Sequence, residues 1–91
     1  MSQPAVFLDR DDTIIGDAHF LSRPEQVKLI PGASAAIARL NAARIPAVLV
    51  TNQSGIARGL LTEHDYDRVH AELEAQLAKS GARLSAAYMC P

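Results

Sequence analysis

One cysteine, Cys90, is all the chain has, which rules out an internal disulfide and fits a reducing compartment. The longest apolar runs are four or five residues, far short of a membrane span. The opening Met1-Ser2-Gln3-Pro4 lacks the basic stretch and the long apolar segment of a secretion signal. Charge of one sign is lacking too. The net charge is −1 and the lysines and arginines are scattered, so neither nucleic acid nor an acidic membrane finds an electrostatic footprint. A cytoplasmic location is therefore the default expectation. What is present is 48% hydrophobic and 21% charged residues over 91 positions, a soluble, globular composition. That length makes one small domain, burying somewhat over ~60% of its unfolded surface.

The order of patterns is strand, loop, helix, strand, loop, helix, strand, which implies an α/β layer on a parallel sheet. Ala5-Val6-Phe7-Leu8 is a continuous apolar run, typical of a strand covered on both faces. From Ile14 to Ile30 periodicity is poor, and Gly16, Asp17, Ser22 and Pro24 break it, so this is read as a long functional loop with room for a small hairpin. Pro31-Gly32 opens a helix in which Ala33, Ile37 and Leu40 share a face, ending near Arg44. Pro46-Ala47-Val48-Leu49-Val50 is the second strand and delivers Thr51 at its carboxyl end, and Asn52 to Leu61 is a glycine-containing loop. Thr62 caps a second helix, with Asp65 in the capping-box position. Tyr66, Val69, Leu73 and Leu77 form that helix's apolar stripe and Gly81 is its stop, while His64 and His70 on it are read as structural or exposed. Ala86 to Met89 starts a third strand.

The first strand runs straight into Asp9-Arg10-Asp11-Asp12-Thr13. Three carboxylates in four positions raise one another's pKa, and a hard divalent cation such as Mg²⁺ is the usual compensation. Residues i and i+2 leave a strand on the same side, so Asp9 and Asp11 can face one ligand together. One can attack a phosphorus while the other handles the proton of the leaving oxygen. Ligands of such sheets bind beyond the carboxyl ends of the strands. Asp9, Asp11, Thr51 and Cys90 all fall at strand ends and are expected on one rim.

An apolar strand ending in Asp-x-Asp-x-Thr, followed by a second apolar strand ending in Thr, resembles the opening of the haloacid dehalogenase (HAD) superfamily. Arg10 between the aspartates, with Thr51-Asn52-Gln53-Ser54-Gly55-Ile56-Ala57-Arg58-Gly59, narrows the likeness to the branch of heptose-bisphosphate and histidinol-phosphate phosphatases. The resemblance implies a HAD-like Rossmannoid parallel sheet with flanking helices, of which only the first three strands are present. It also implies hydrolysis of a phosphate monoester of a small phosphosugar. By resemblance Asp9 is the nucleophile, Asp11 the acid and base, and Thr51 a hydrogen-bond donor to the transferring phosphoryl group. Mg²⁺ is held by Asp9 and by the Asp11 carbonyl, and Cys90 is the first of the zinc-loop ligands. Substrate contacts are implied for Arg10, Asp17, His19, Phe20, Asn52, Gln53, Ser54 and Arg58, with Arg58 as ready to anchor its loop as to bind a phosphate.

Two departures from the family pattern stand out. Asp12 occupies the place where the family has Gly, adding charge and a side chain where backbone freedom is wanted. The superfamily also needs a later Lys and a later acidic metal ligand, yet Lys79 is the only lysine after Thr51. One thiolate cannot hold a tetrahedral Zn²⁺. Residues 1–91 are thus expected to be the amino-terminal half of a single HAD-like domain. In the family's order the first strand is central, so here it becomes an exposed apolar edge that invites self-association. Right-handed crossovers running in one direction put both helices on one face and leave the other bare. Two further readings stay open. A non-catalytic remnant that binds phosphosugars or a partner also fits the missing lysine. A phosphoryl-receiver domain needs an acceptor aspartate at the third strand end, where this chain has Tyr88-Met89-Cys90-Pro91.

Overall fold

In a computed structural model that describes residues 4–16 and 21–91, three parallel strands form one sheet in the order β1-β2-β3. Strand β1 is Val6–Leu8, β2 is Ala47–Asn52 and β3 is Ala86–Cys90. Val6 pairs with Ala47 and Leu8 with Leu49, while Val48 pairs with Ala86 and Asn52 with Cys90. All three carboxyl ends therefore reach the same rim. Helix α1 (Ala33–Ala42) crosses from β1 to β2, and the short α2 (Ser54–Ala57) and long α3 (Glu63–Lys79) cross from β2 to β3.

Alternation along β2 decides what each face does. Ala47 and Leu49 are buried in one core cluster with Ile37 of α1 and Val69, Leu73 and Leu77 of α3. Both helices thus cover the same face, as same-direction right-handed crossovers require. The opposite face carries Phe7, Val50 and Tyr88, which are 68%, 46% and 63% exposed, together with Val48, which is buried at 8%. Among the described residues no strand pairs with the outer edge of β1.

The long connection after β1 is more structured than its sequence suggests. Ile15 bridges Leu29 in antiparallel fashion, the Gly16 N–H donates to Lys28 and the Ile30 N–H to Ile14. A 3₁₀ turn follows at Pro24–Gln26. Ile14, Ile15, Leu21 and Val27 enter the main core, so the segment seals the end of the helix layer near the rim. Gln76 of α3 holds it by donating to the Val27 carbonyl.

Two local devices are testable. Asp12 has φ 63°, in the left-handed region, which explains why glycine suits this turn. Its N–H donates to the Ile15 carbonyl while the Arg10 carbonyl accepts from Thr13, Ile14 and Ile15, closing a tight turn after β1. A β-branched side chain is strained in this region far more than an aspartate, whose short polar side chain tolerates it, while glycine is not strained there at all. Asp12→Val is therefore expected to melt below the wild type and below Asp12→Gly. Thermal melts of the three proteins check the order, and a valine variant melting with the wild type would contradict it.

The second device is the start of α3. Thr62 Oγ1 accepts from the Asp65 N–H at 3.0 Å, and the Asp65 carboxylate accepts from the Thr62 N–H at 2.9 Å. The backbone bond from Thr62 is the main reason the Asp65 carboxyl lies below its ordinary value of 3.8; desolvation opposes it, and the Thr62 side chain, Arg68 and His64 add smaller contributions in the same direction as the backbone bond. A depressed carboxyl stabilises the fold above its unfolded pKa, and that contribution disappears as pH falls through the lower folded value. Wild type is expected to outlast Asp65→Asn in thermal melts at neutral pH, with the gap closing below about pH 3.8. A gap independent of pH would show that the carboxylate charge is not involved.

Candidate active site

The rim at the carboxyl ends of the strands gathers the chemistry. β1 ends at Leu8 and hands the chain to Asp9; β2 ends in Thr51 and Asn52; β3 ends at Cys90, the register partner of Asn52. Asp9 is exposed, and its Oδ1 accepts the Arg10 N–H at 2.8 Å, leaving Oδ2 open to a ligand. Asp11 is half-buried, and Arg10 Nε and Nη2 donate to its two carboxylate oxygens at 3.2 and 3.4 Å.

Arg10 itself is 1% exposed. Continuing the alternation of β1 puts Arg10 on the side of Leu8, toward the helices, while Asp9 and Asp11 share the other. Its guanidinium lies over the Tyr66 ring of α3, 5.8 Å from the centroid, and Nη1 is buried with no hydrogen-bond partner among the described residues. Burial pushes the Tyr66 hydroxyl above its ordinary value, with Arg10 pulling it back. Tyr66 in turn stacks on His70, whose Nε2 meets Glu74 at 2.9 Å. A cation is thus built in beneath the aspartates, offsetting part of their mutual repulsion.

Gln53 is likewise turned inward: it is 5% exposed and donates to Thr51 Oγ1 at 2.8 Å. Resemblance gave Arg10 and Gln53 to the substrate; their side chains here grip Asp11 and Thr51. The spacing held the signal, since the middle residue of Asp-x-Asp must face away from its neighbours and Gln53 must share the side of Thr51. The partner of Arg10, Tyr66, lies too far along the chain for any local pattern to show. Asn52 and Ser54 are exposed at the rim, and Arg58, also exposed, donates its N–H to the Ser54 carbonyl at the end of α2. Asp17, His19 and Phe20 lie outside the described residues.

Among the described residues no group of three or more His, Cys, Asp or Glu side chains is arranged to hold a metal. A hard cation that keeps several waters needs fewer protein ligands. Asp9 Oδ2 and the Asp11 carbonyl, which accepts no hydrogen bond among the described residues, suit such an ion. Cys90 is exposed, and its Sγ lies 3.9 Å from the Pro91 carbonyl oxygen. Lys79 ends α3 at the opposite rim, where β3 begins. No helix of the described residues is long and apolar enough to cross a membrane.

Solved structures share this fold. A HAD-like phosphatase from Mesorhizobium loti matches 97% of this chain at TM-score 0.93 and 41% identity, using 42% of its own length. The fold and the sequence together place the chain with the HAD-like phosphatases. The D,D-heptose 1,7-bisphosphate phosphatase of Bordetella bronchiseptica, solved with magnesium and phosphate, matches 98% of the chain at TM-score 0.91 and 38% identity, over 50% of its own length. The D-glycero-beta-D-manno-heptose-1,7-bisphosphate 7-phosphatase of Rhodopseudomonas palustris is 40% identical over 89 residues, 98% of this chain and 49% of that protein. The Thermosynechococcus vestitus D-glycero-D-manno-heptose-1,7-bisphosphate 7-phosphatase is 42% identical over 92 residues, 100% of this chain and 47% of that protein. The chain thus spans about half the length of the curated relatives it matches. No family model matches it.

Proposed function

We propose that the chain carries the nucleophile-bearing half of a HAD-like domain that hydrolyses a sugar phosphate monoester, with D-glycero-D-manno-heptose 1,7-bisphosphate as substrate and the 7-phosphate as the group removed. The observation that carries this reading is the placement of Asp9, Asp11 and Thr51 at one rim, in a chain whose relatives bear that name. Asp9 Oδ2 attacks the phosphorus and forms an aspartyl phosphate as the bond to the sugar oxygen breaks. Asp11, held by the Arg10 fork, gives its proton to that oxygen and later takes one from the water that hydrolyses the intermediate. Thr51 donates to a phosphoryl oxygen. Asn52, Ser54 and Arg58 stand where the rest of the substrate would lie. Magnesium, when bound between Asp9 and the Asp11 carbonyl, aligns the attack and neutralises phosphate charge. A zinc role for Cys90 needs ligands supplied by residues other than those described here.

Support for the substrate class comes from the bound magnesium and phosphate of the Bordetella structure. The test is phosphate release from heptose 1,7-bisphosphate and from histidinol phosphate. It is measured on the chain and on a hybrid that continues it with the remaining half of the Rhodopseudomonas relative. The hybrid is expected to prefer the heptose bisphosphate. Faster release from histidinol phosphate would reassign the substrate, and no release from either would remove the phosphatase reading.

Association belongs to the same proposal. Phe7, Val50 and Tyr88 expose an apolar face beside the open edge of β1, and such a surface recruits further copies. Sedimentation velocity is expected to show oligomers that grow with concentration. A monodisperse monomer that unfolds cooperatively would contradict this.

A further inference from the structure

Thr51 and Gln53 sit two residues apart at the end of β2, on the side facing the helices, and are 2% and 5% exposed. The Gln53 Nε2 amide donates to Thr51 Oγ1 at 2.8 Å. Gln53 is fixed from behind, because its N–H donates to the Cys90 carbonyl at the end of β3, at 2.6 Å. A hydroxyl has one proton and two lone pairs. With one lone pair engaged by an incoming N–H, the Thr51 proton must point elsewhere. Among the described residues nothing accepts it. A nearly buried hydroxyl donor left without an acceptor is costly, and such groups call for an explanation.

We infer that Gln53 is a positioning residue that fixes Thr51 as a hydrogen-bond donor to an anionic oxygen at the rim, a tetrahedral phosphoryl oxygen. The inference rests on the phosphatase reading and deepens it, because it states why position 53 needs an amide. A carboxylate of the same shape would accept the Thr51 proton and turn the hydroxyl lone pairs toward the phosphate oxygens. An apolar side chain of similar size would leave the hydroxyl free to rotate, so that it donates outward only part of the time.

The experiment is a ³¹P NMR titration of inorganic phosphate, in the presence of Mg²⁺, against the hybrid of this chain with the remaining half of the Rhodopseudomonas relative. Thr51→Val, Gln53→Glu, Gln53→Leu and the Thr51→Val/Gln53→Leu pair are compared with the parent hybrid. Loss of one hydrogen bond to a charged oxygen predicts weakening of about ten- to hundredfold for Thr51→Val. Gln53→Glu is expected to weaken binding as much, and Gln53→Leu less. The double variant is expected to be no weaker than Thr51→Val alone, since Gln53 acts only through that hydroxyl. A loss on Gln53→Leu that persists in the Thr51→Val background would mean a merely structural role and would overturn the inference. Weakening by Thr51→Val with none by Gln53→Glu would overturn it and leave the phosphatase reading standing. A parent hybrid that binds no phosphate, or a Thr51→Val hybrid that binds it equally well, would overturn both.

Discussion

Asp9→Asn is expected to abolish phosphate release from heptose 1,7-bisphosphate by the hybrid enzyme, by at least roughly 10³-fold. The carboxamide keeps the shape of the side chain. It also keeps an oxygen that can accept the Arg10 N–H, the one hydrogen bond that the Asp9 side chain makes among the described residues. What it loses is the charge on Oδ2 and with it the nucleophile. The loss should fall on kcat, and the melting temperature should stay near that of the parent. Turnover above that limit by a correctly folded Asp9→Asn protein would remove Asp9 from the role of nucleophile. Asp11→Asn is a less clean probe, because it leaves the buried Arg10 guanidinium without its carboxylate.

Leu73→Ala should have the largest effect on stability. Leu73 is fully buried at the middle of α3, within the cluster that joins both helices to β2. Truncating such a leucine costs about 3–5 kcal/mol. A chain of this size has about 5–14 kcal/mol in total, and Phe7, Val50 and Tyr88 on one face of the sheet are largely exposed. The variant is therefore expected to melt at least about 12 °C lower, or to be unfolded at room temperature, as read by circular dichroism. Asp67→Ala, on the exposed side of the same helix, should change stability by no more than about 0.5 kcal/mol. Equal effects at the two positions would mean that the apolar stripe is not what holds α3 down.

Much of this architecture was readable from local pattern. Tyr66, Val69, Leu73 and Leu77, a stripe at helical spacing, are all buried in α3. The Thr62–Asp65 box caps that helix, and Gly81 ends it with φ 73°. The placement of both helices on one face of the sheet followed from crossover handedness alone. Other features had no local signal. The four-residue α2 is too short to show a period within the loop read from Asn52 to Leu61. Ile14, Ile15, Leu21 and Val27 enter the core without regular spacing, so the stretch read as a loop with room for a small hairpin, and its burial did not show. At the site, the strand ends were legible as a rim because parallel strands must end together. The inward turn of Arg10 depends on Tyr66, a contact made only once α3 has docked.

The pairing of β1 has a consequence for how the chain comes to its fold. Val6 finds its partner in Ala47, about forty residues later, and Val48 finds Ala86 at a similar distance. No strand can pair with its neighbour in sequence by a short turn, so every sheet contact closes a long loop first. Helices α1 and α3 can form early from local contacts, but the sheet must wait for them. During synthesis β1 therefore emerges well before the strand that will cover one of its edges. Its apolar run is at greatest risk of meeting another chain in that interval, and the charged turn from Asp9 to Asp12 that follows it is well placed to keep it in solution until β2 arrives.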